Sequence, residues 1–422
     1  MEQRKVTYRM YPTAKQEEAL LDTLGLHQRL YNTALEARIR AYKDESQSLT
    51  FASQCRDLTQ WRARVPALAA MNAQSQQVTL DRLDKAYKAF FRRVKAGEKA
   101  GFPRFKPIQR YPGWGYKKHG DGWRLLAGQA RGRKQMAHGK LRLSGIGVVK
   151  LRGAARAAGE PKICEILHRN GKWYASVTLN CEPTRVSGSG VMAFDWGLEQ
   201  FATVVDGAYQ THTEPNPRFM DKTQRAELKT LQQAVARKTN KRSHNRKKAV
   251  AKVAKLHSKI ARQRLDFHHQ LAAKWVKNNA LIATEQLNVK GMSANGGEYK
   301  KGLNREILSA APAQFLIILE CKAAEAGIQW IEVPTRQVKP SQTCHRCGAQ
   351  RKKSLNERRH VCPCGTNCGR DENAARVMLN WALTGKPAVE SGQELAEVWS
   401  GSRFAAMKHE TPSVPVLAGQ GE

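Results

Sequence analysis

The sequence predicts a multidomain α+β protein, and three observations lead there. The 422 residues are long enough for roughly three domains of about 150 residues each. Helical periodicity fills residues 13 to about 98, strand patterns fill about 108–187, and strands alternate with helices beyond 188. With 41% apolar and 26% charged residues, the chain can bury cores instead of remaining a disordered basic tail.

Val6, Tyr8 and Met10 alternate with polar residues and read as a short strand over 5–10. Pro12 stops it. Thr13-Ala14-Lys15-Gln16 has the Thr-x-x-Gln form of a capping box, which starts a helix. Leu20, Leu24, Tyr31 and Leu35 follow at helical spacing, and helical signals continue through Leu80 and Phe90. Gly101-Phe102-Pro103-Arg104-Phe105-Lys106-Pro107 breaks the pattern and reads as an extended connector. Leu141, Leu143, Val148, Val149 and Leu151 mark short strands. Asn170-Gly171 is a hairpin turn, after which Trp173, Ala175, Val177 and Leu179 share one strand face. These strands make a small β-barrel or sheet, joined by the strand at 5–10. Ser187-Gly188-Ser189-Gly190 reads as a linker and domain boundary.

Val191–Phe194 is a buried strand running into Asp195-Trp196-Gly197, and Phe201–Val205 is a second strand ending at Asp206-Gly207. A long basic helical segment follows. Leu281–Thr284 is a strand ending at Glu285. A helix around Ala310–Ala326 and a strand at Trp330–Val333 lead to a cysteine cluster, then Asp371 and a helix over Ala374–Leu383.

Charge narrows the function. Lys and Arg number 72 against 36 Asp and Glu, a formal net charge of +36, which points to a polyanionic partner, nucleic acid above all. Between Arg237 and Arg264 there are twelve Lys or Arg and no acid. Val250, Val253, Leu256 and Ile260 form an apolar stripe there, while Lys252, Lys255, Lys259 and Arg262 share another helix face. Without a polyanion alongside, such a face repels itself. Lys238, Arg242, Lys247, Lys252, Lys255 and Lys259 are therefore candidate nucleic-acid contacts, as are Arg104 and Lys106 on the connector. Tyr111, Trp114 and Trp123 sit among cations and are candidates either for stacking on bases or for core packing.

Other classes drop out. Met1-Glu2-Gln3-Arg4-Lys5 lacks the apolar stretch of a secretory signal, and no uninterrupted apolar run of about 18 residues suggests a membrane span. No Gly-rich loop ending in Gly-Lys-Ser/Thr is present, which argues against an ATP-driven helicase. Five of the nine cysteines lie between Cys344 and Cys368, a clustering that reads as metal binding in a reducing, cytoplasmic setting. Cys344-His345-Arg346-Cys347-Gly348 and, fourteen residues on, Cys362-Pro363-Cys364-Gly365 suit one structural Zn²⁺. Cys368 is a substitute for Cys362 as fourth ligand, and His345 and His360 are lesser candidates. Cys55, Cys164, Cys181 and Cys321 lie in apolar patterns and read as core residues.

Asp195, Glu285 and Asp371 stand at the edges of apolar elements in an otherwise cationic protein. Phosphodiester cleavage needs an activated water and neutralised charge on the leaving oxygen. Two Mg²⁺ ions about 3.5–4 Å apart, held by hard carboxylate oxygens, supply both.

The contexts of the acids, Phe194-Asp195-Trp196-Gly197, Thr284-Glu285-Gln286-Leu287-Asn288-Val289-Lys290-Gly291-Met292 and Arg370-Asp371-Glu372-Asn373-Ala374-Ala375, resemble in order and spacing the split RuvC nuclease of the TnpB family. These are the transposon-encoded relatives of compact type V CRISPR effectors. Tyr11-Pro12-Thr13, Tyr31-Asn32, Gly101–Lys106, Gly171-Lys172-Trp173-Tyr174 and Ser341-Gln342-Thr343-Cys344 extend the resemblance from about residue 6 to about 390.

The resemblance implies a ribonuclease-H-like RuvC domain with a zinc-knuckle insertion. It would be preceded by a β wedge domain carrying an inserted helical recognition domain. In this layout 1–12 is the first wedge strand, 13–107 the recognition domain and 108–187 the rest of the wedge. Residues 188–340 carry the first two nuclease motifs and the basic helices, 341–368 the zinc-binding target-nucleic-acid-binding insertion, 369–385 the third motif and 386–422 a partly disordered tail.

The implied activity is guide-RNA-directed cleavage of double-stranded DNA next to a short flanking motif. Asp195, Glu285 and Asp371 would hold Mg²⁺, and the protein would associate with the nucleoid when bound to DNA. The alternatives are a compact type V CRISPR effector and a cleavage-inactive guided repressor, and both monomer and dimer stay open. Three departures stand out: Trp196 where an aliphatic residue is usual, Gly369-Arg370-Asp371 where Asp-Arg-Asp is usual, and Cys-x-Cys in the second half of the knuckle. On a strand, Trp196 points away from Asp195, so its consequence is for packing.

Overall fold

Thr13 closes the first strand and opens the first helix. Its hydroxyl accepts from the Gln16 N–H, and the Gln16 side chain accepts from the Thr13 N–H. The computed structural model describes residues 2–126, 139–152, 159–294, 297–354 and 356–389. It divides into two units, Met1–Pro183 and Thr184–Glu422.

The first unit contains β1 (Glu2–Tyr11), then α1 (Ala14–Glu45), α2 (Phe51–Arg64), α3 (Pro66–Ala69) and α4 (Ala73–Lys95). Six strands follow: β2 (Gly113–Tyr116), β3 (Trp123–Leu126), β4 (Lys140–Leu143), β5 (Gly147–Arg152), β6 (Glu160–Arg169) and β7 (Lys172–Cys181). The sheet order is β2-β6-β7-β1-β5-β4-β3, with antiparallel neighbours. The first strand is thus central, and the helices are an insertion between it and the second. β1 runs beyond the expected 5–10 because its ladder with β7 continues from Arg9↔Tyr174 to Glu2↔Cys181. Asn170 (φ 50°) and Gly171 (φ 66°) make the β6–β7 turn, as Asn-Gly should.

Leu20, Leu24, Tyr31 and Leu35 of α1 join Leu80 and Leu83 of α4 in one core with the sheet. Tyr111, Trp114 and Trp123 are 3%, 0% and 2% exposed. They are core residues, and no base can reach them. His27 is buried, stacked on Trp114 and hydrogen-bonded to Thr79 at 2.8 Å. Burial and then the Arg82 charge push its pKa down to about 3, so it is a neutral core residue.

The second unit begins with β8 (Gly190–Trp196), β9 (Gln200–Asp206) and β10 (Thr211–Pro215). The basic helices α5 (Lys222–Ala236) and α6 (His244–Asn278) precede β11 (Asn279–Glu285), α7 (Val289–Ser293), α8 (Glu298–Ala310), α9 (Pro312–Glu325) and β12 (Gln329–Val333). Then come α10 (Thr335–Val338), the small strands β13 (Arg359–Val361) and β14 (Asn367–Gly369), and α11 (Arg370–Thr384). The five-stranded sheet has the order β10-β9-β8-β11-β12. β10, β9 and β8 are antiparallel; β8, β11 and β12 are parallel.

Alternation along β8 sorts its side chains between two cores. Met192, Phe194 and Trp196 pack with α6 and α9, whereas Val191 and Ala193 pack with α11.

Several expectations change. The boundary falls after Pro183, not at the Ser-Gly run. That run is pinned within the second unit: the Gly188 N–H donates to the Val276 carbonyl, and a Cβ on Gly188 would lie 2.2 Å from the Asn278 backbone. The helix expected around Ala310–Ala326 is α9, which starts at Pro312 because Ala311 turns left-handed (φ 52°); α8 before it is a helix the sequence reading did not give. Within Lys300–Glu325 an 18-residue window has a mean hydropathy of 1.4, yet Phe315, Leu319 and Ala323 of the segment are fully buried in this unit. Cys321 is exposed and Cys55 half-buried; Cys164 and Cys181 are core residues. Of the tail expected over 386–422, residues 390–422 lie outside the described residues.

Phe315 touches the rings of Phe194, Phe201, His268 and Trp275. Phe315→Ala should cost about 3–5 kcal/mol, read as a lower urea midpoint for the second unit.

Candidate active site

Asp195 and Glu285 continue the face of the sheet on which Val191, Ala193, Leu281 and Ala283 pack against α11. Phe194 pairs with Thr284 across the parallel β8–β11 ladder, so the next residues, Asp195 and Glu285, stand side by side at the strands' carboxyl ends. Both are half-buried. Asp371 comes from the first turn of α11, the helix that covers this face. Its carboxylate lies over the Asp195-Trp196-Gly197 turn: a Cβ built on Gly197 would be 3.8 Å from Asp371 Oδ2. The third acid therefore sits on a helix start, because α11 begins at Arg370, before the Ala374–Leu383 span read from the sequence. Trp196 is buried on the opposite side of the sheet.

The three charges oppose one another. Burial, then the charges of Glu285 and Asp371, raise the Asp195 pKa well above the usual carboxylate range. Glu285 is raised by burial first; Arg370 works against the shift and Asp371 adds to it. Arg370 is thus a charge at the site that sequence analysis treated only as motif context. Its N–H donates to the Arg358 carbonyl and its guanidinium to the Ser354 carbonyl at 2.9 Å, which holds it beside the acids. Hard oxygen donors packed together at the cost of mutual repulsion are a donor set suited to Mg²⁺.

The cysteine cluster forms in space. Ligand atoms of Cys344, Cys347, Cys362 and Cys364 all lie within 4.8 Å of one another. Cys344 and Cys364 sulfurs are 3.7 Å apart, and those of Cys347 and Cys362 are 3.5 Å apart. A tetrahedron with Zn–S bonds near 2.3 Å has an edge of ~3.8 Å, so the four fit a structural zinc ion. The Thr366 hydroxyl and backbone pull the Cys364 thiol down to about 6. Cys368 lies outside this group, on β14 opposite His360. His345 bonds to Asn373 and His360 to Lys353, so neither is needed as a ligand.

Asn373, fully buried, ties this knuckle to the start of α11. Its amide donates to the Thr343 carbonyl at 2.7 Å, and its oxygen accepts from the His345 backbone and ring. Asn380 donates to the His345 carbonyl one face-repeat later. Asn373 was legible as part of a motif string, but its role as a clamp was not.

Lys252, Lys255, Lys259 and Arg262 are exposed along one face of α6, while Leu256 and Ile260 are buried opposite; Val250 is exposed. Arg242 and Lys247 are exposed and Lys238 is half-buried. Arg246 instead caps α5, donating to the Val235 and Lys238 carbonyls. In the first unit Arg104 is exposed. Lys106 is anchored, with its ammonium 4.4 Å from the Tyr31 ring centre and its backbone bonded to Asn32.

Comparison with known proteins places the chain. The "Probable transposase" family model matches residues 175–296, and the "Cas12f1-like, TNB domain" model matches 313–378. A "Helix-turn-helix domain" model matches 1–47, although here those residues are one strand and one unbroken helix. A protein of Streptomyces pristinaespiralis named as an RNA-guided DNA endonuclease is 31% identical over 89% of this chain and 88% of its own. InsQ of Escherichia coli K12, named likewise, is 28% identical over 92% and 96%. Among solved structures, Cas12f1 in complex with sgRNA and target DNA shares the fold, with a TM-score of 0.53 at 12% identity over 89% of this chain and 98% of that one. The chain belongs to the TnpB family, related to the compact type V effectors.

Two outcomes follow from this geometry. Elemental analysis should find one zinc per chain; Cys364→Ser should lose it and Cys368→Ser should keep it. Because Asp195 and Glu285 are raised, the folded metal-free protein binds more protons than the unfolded chain above about pH 4, and it loses stability as pH rises through that window. Asp195→Asn should therefore raise the metal-free Tm by about 2–4 °C near neutral pH, with the difference vanishing in acid.

Proposed function

We propose that this chain is an RNA-guided DNA endonuclease of the TnpB type, cleaving DNA that pairs with its guide RNA. The observation that carries the reading is the meeting of Asp195, Glu285 and Asp371 from three separate elements in a chain of net charge +36. The likeness over nearly the whole chain to two proteins named for that activity supports it.

The second unit is the RuvC-type nuclease. Its strand order, three antiparallel strands continued by two parallel ones, supports a ribonuclease-H-like reading. The sheet of the first unit is the wedge, α1–α4 the recognition insertion, and the knuckle the target-nucleic-acid-binding insertion. Asp195, Glu285 and Asp371 would hold two Mg²⁺, which when bound would supply an activated water and neutralise the leaving oxygen. The rest falls to the chain. β8 and β11 fix two carboxylates on a rigid sheet, and Arg370 offsets part of their repulsion. The α6 cations hold the nucleic-acid backbone, with sequence left to base pairing. Such a protein works in the prokaryotic cytoplasm.

Asp195→Ala should reduce Mg²⁺-dependent cleavage of guide-matched duplex to background while leaving guide-RNA affinity within about twofold. Cleavage that survives in this variant would overturn the site assignment.

A further inference from the structure

An aromatic cluster in the first unit faces solvent and takes no part in the chemistry above. The rings of Phe90 and Phe91 lie 5.2 Å apart, Phe90 and Phe102 5.4 Å, and Tyr87 and Phe102 5.5 Å. Phe91 is 60% exposed and Phe102 47%. Four rings gathered on a surface, with two largely open, leave apolar area uncovered that a core would have taken.

The surroundings state what covers it. Residues 85–106 carry eight Lys or Arg and one acid, Glu98. Lys85 and Lys88 are paired with Asp81 and Asp84, which leaves Arg92, Arg93, Lys95, Lys99 and Arg104, the sequence neighbours of Phe91 and Phe102, as the dominant charge. An apolar protein partner is disfavoured by that rim. A nucleotide satisfies both features, since its base has a π-face and its phosphate a negative charge.

The cluster is anchored at two points. The Arg38 guanidinium sits 5.0 Å from the Tyr87 ring centre and is locked by buried bonds to Asp84 and Gln54. The connector bearing Phe102 is tied down at Lys106, whose N–H donates to Asn32 and whose carbonyl accepts from Gln28. Rings already fixed lose little freedom on binding.

We propose that Phe91 and Phe102, backed by Tyr87 and Phe90, are a platform on which unpaired bases of a bound nucleic acid stack. The inference rests on the nucleic-acid-binding part of the proposed function and does not depend on the three acids. RNA and DNA share the chemistry and are separated by the probes.

The test is fluorescence anisotropy on the purified full chain with single-stranded oligouridylate, oligodeoxythymidylate and an abasic strand of the same length. Wild type should bind at least one base-bearing strand about 5- to 100-fold more tightly than the abasic one. In Phe91→Leu/Phe102→Leu, which keeps apolar packing, that preference should collapse while abasic affinity stays. Phe91→Trp should retain it. A 4-thiouridine or 4-thiothymidine strand should crosslink to the peptide spanning 87–105, and the better-binding sugar names the ligand. Equal binding of base-bearing and abasic strands by wild type overturns the platform alone; no binding of any strand overturns the nucleic-acid reading with it. An equal loss on all strands in the double variant, or a changed sedimentation state with unchanged binding, reassigns the patch to folding or self-association and overturns the proposal.

Discussion

The parallel pairing of β8 with β11 is the constraint from which the site follows. Met192, Ala193 and Phe194 pair with Ile282, Ala283 and Thr284, so the residues after them emerge together. A slip of one residue would send Glu285 to the face occupied by α6 and α9. The register is enforced from both sides, because alternate residues of each strand fill separate cores. Burying those cores is what holds like charges next to one another, a contact the carboxylates would not make unaided.

The knuckle is coupled to this sheet through α11. Asn373 and Asn380 grip the loop that follows Cys344, and Asp371 is two residues before Asn373 on the same helix. The four-cysteine cluster is therefore part of how the third acid is placed. Arg370 shows the same economy: its backbone and guanidinium are bonded to the knuckle side while its charge acts on Asp195 and Glu285.

Cationic residues divide by what surrounds them. Along α6 the Lys face is exposed, with Leu256 and Ile260 buried behind it. Arg246, Arg38 and Lys106 are equally basic in the sequence but are spent on a helix end, a buried carboxylate and an aromatic ring. A count of charges sees no difference between the two groups.

Local rules were enough for the elements whose causes are local. The Thr13–Gln16 box, the Asn170-Gly171 turn and the buried strand at Val191–Phe194 depend on neighbouring residues, and they stand in the structure as read. Motif strings marked the three acids and four cysteines because their spacing is written in the chain. Folding alone settled what depends on partners far away: that Tyr111, Trp114 and Trp123 are core while Phe91 and Phe102 are surface, and that Asp371 opens a helix. The same holds for Cys368 falling outside the sulfur group and Asn373 acting as a clamp. Burial is a property of the assembled layers, and an aromatic among cations has the same local pattern on either side of them.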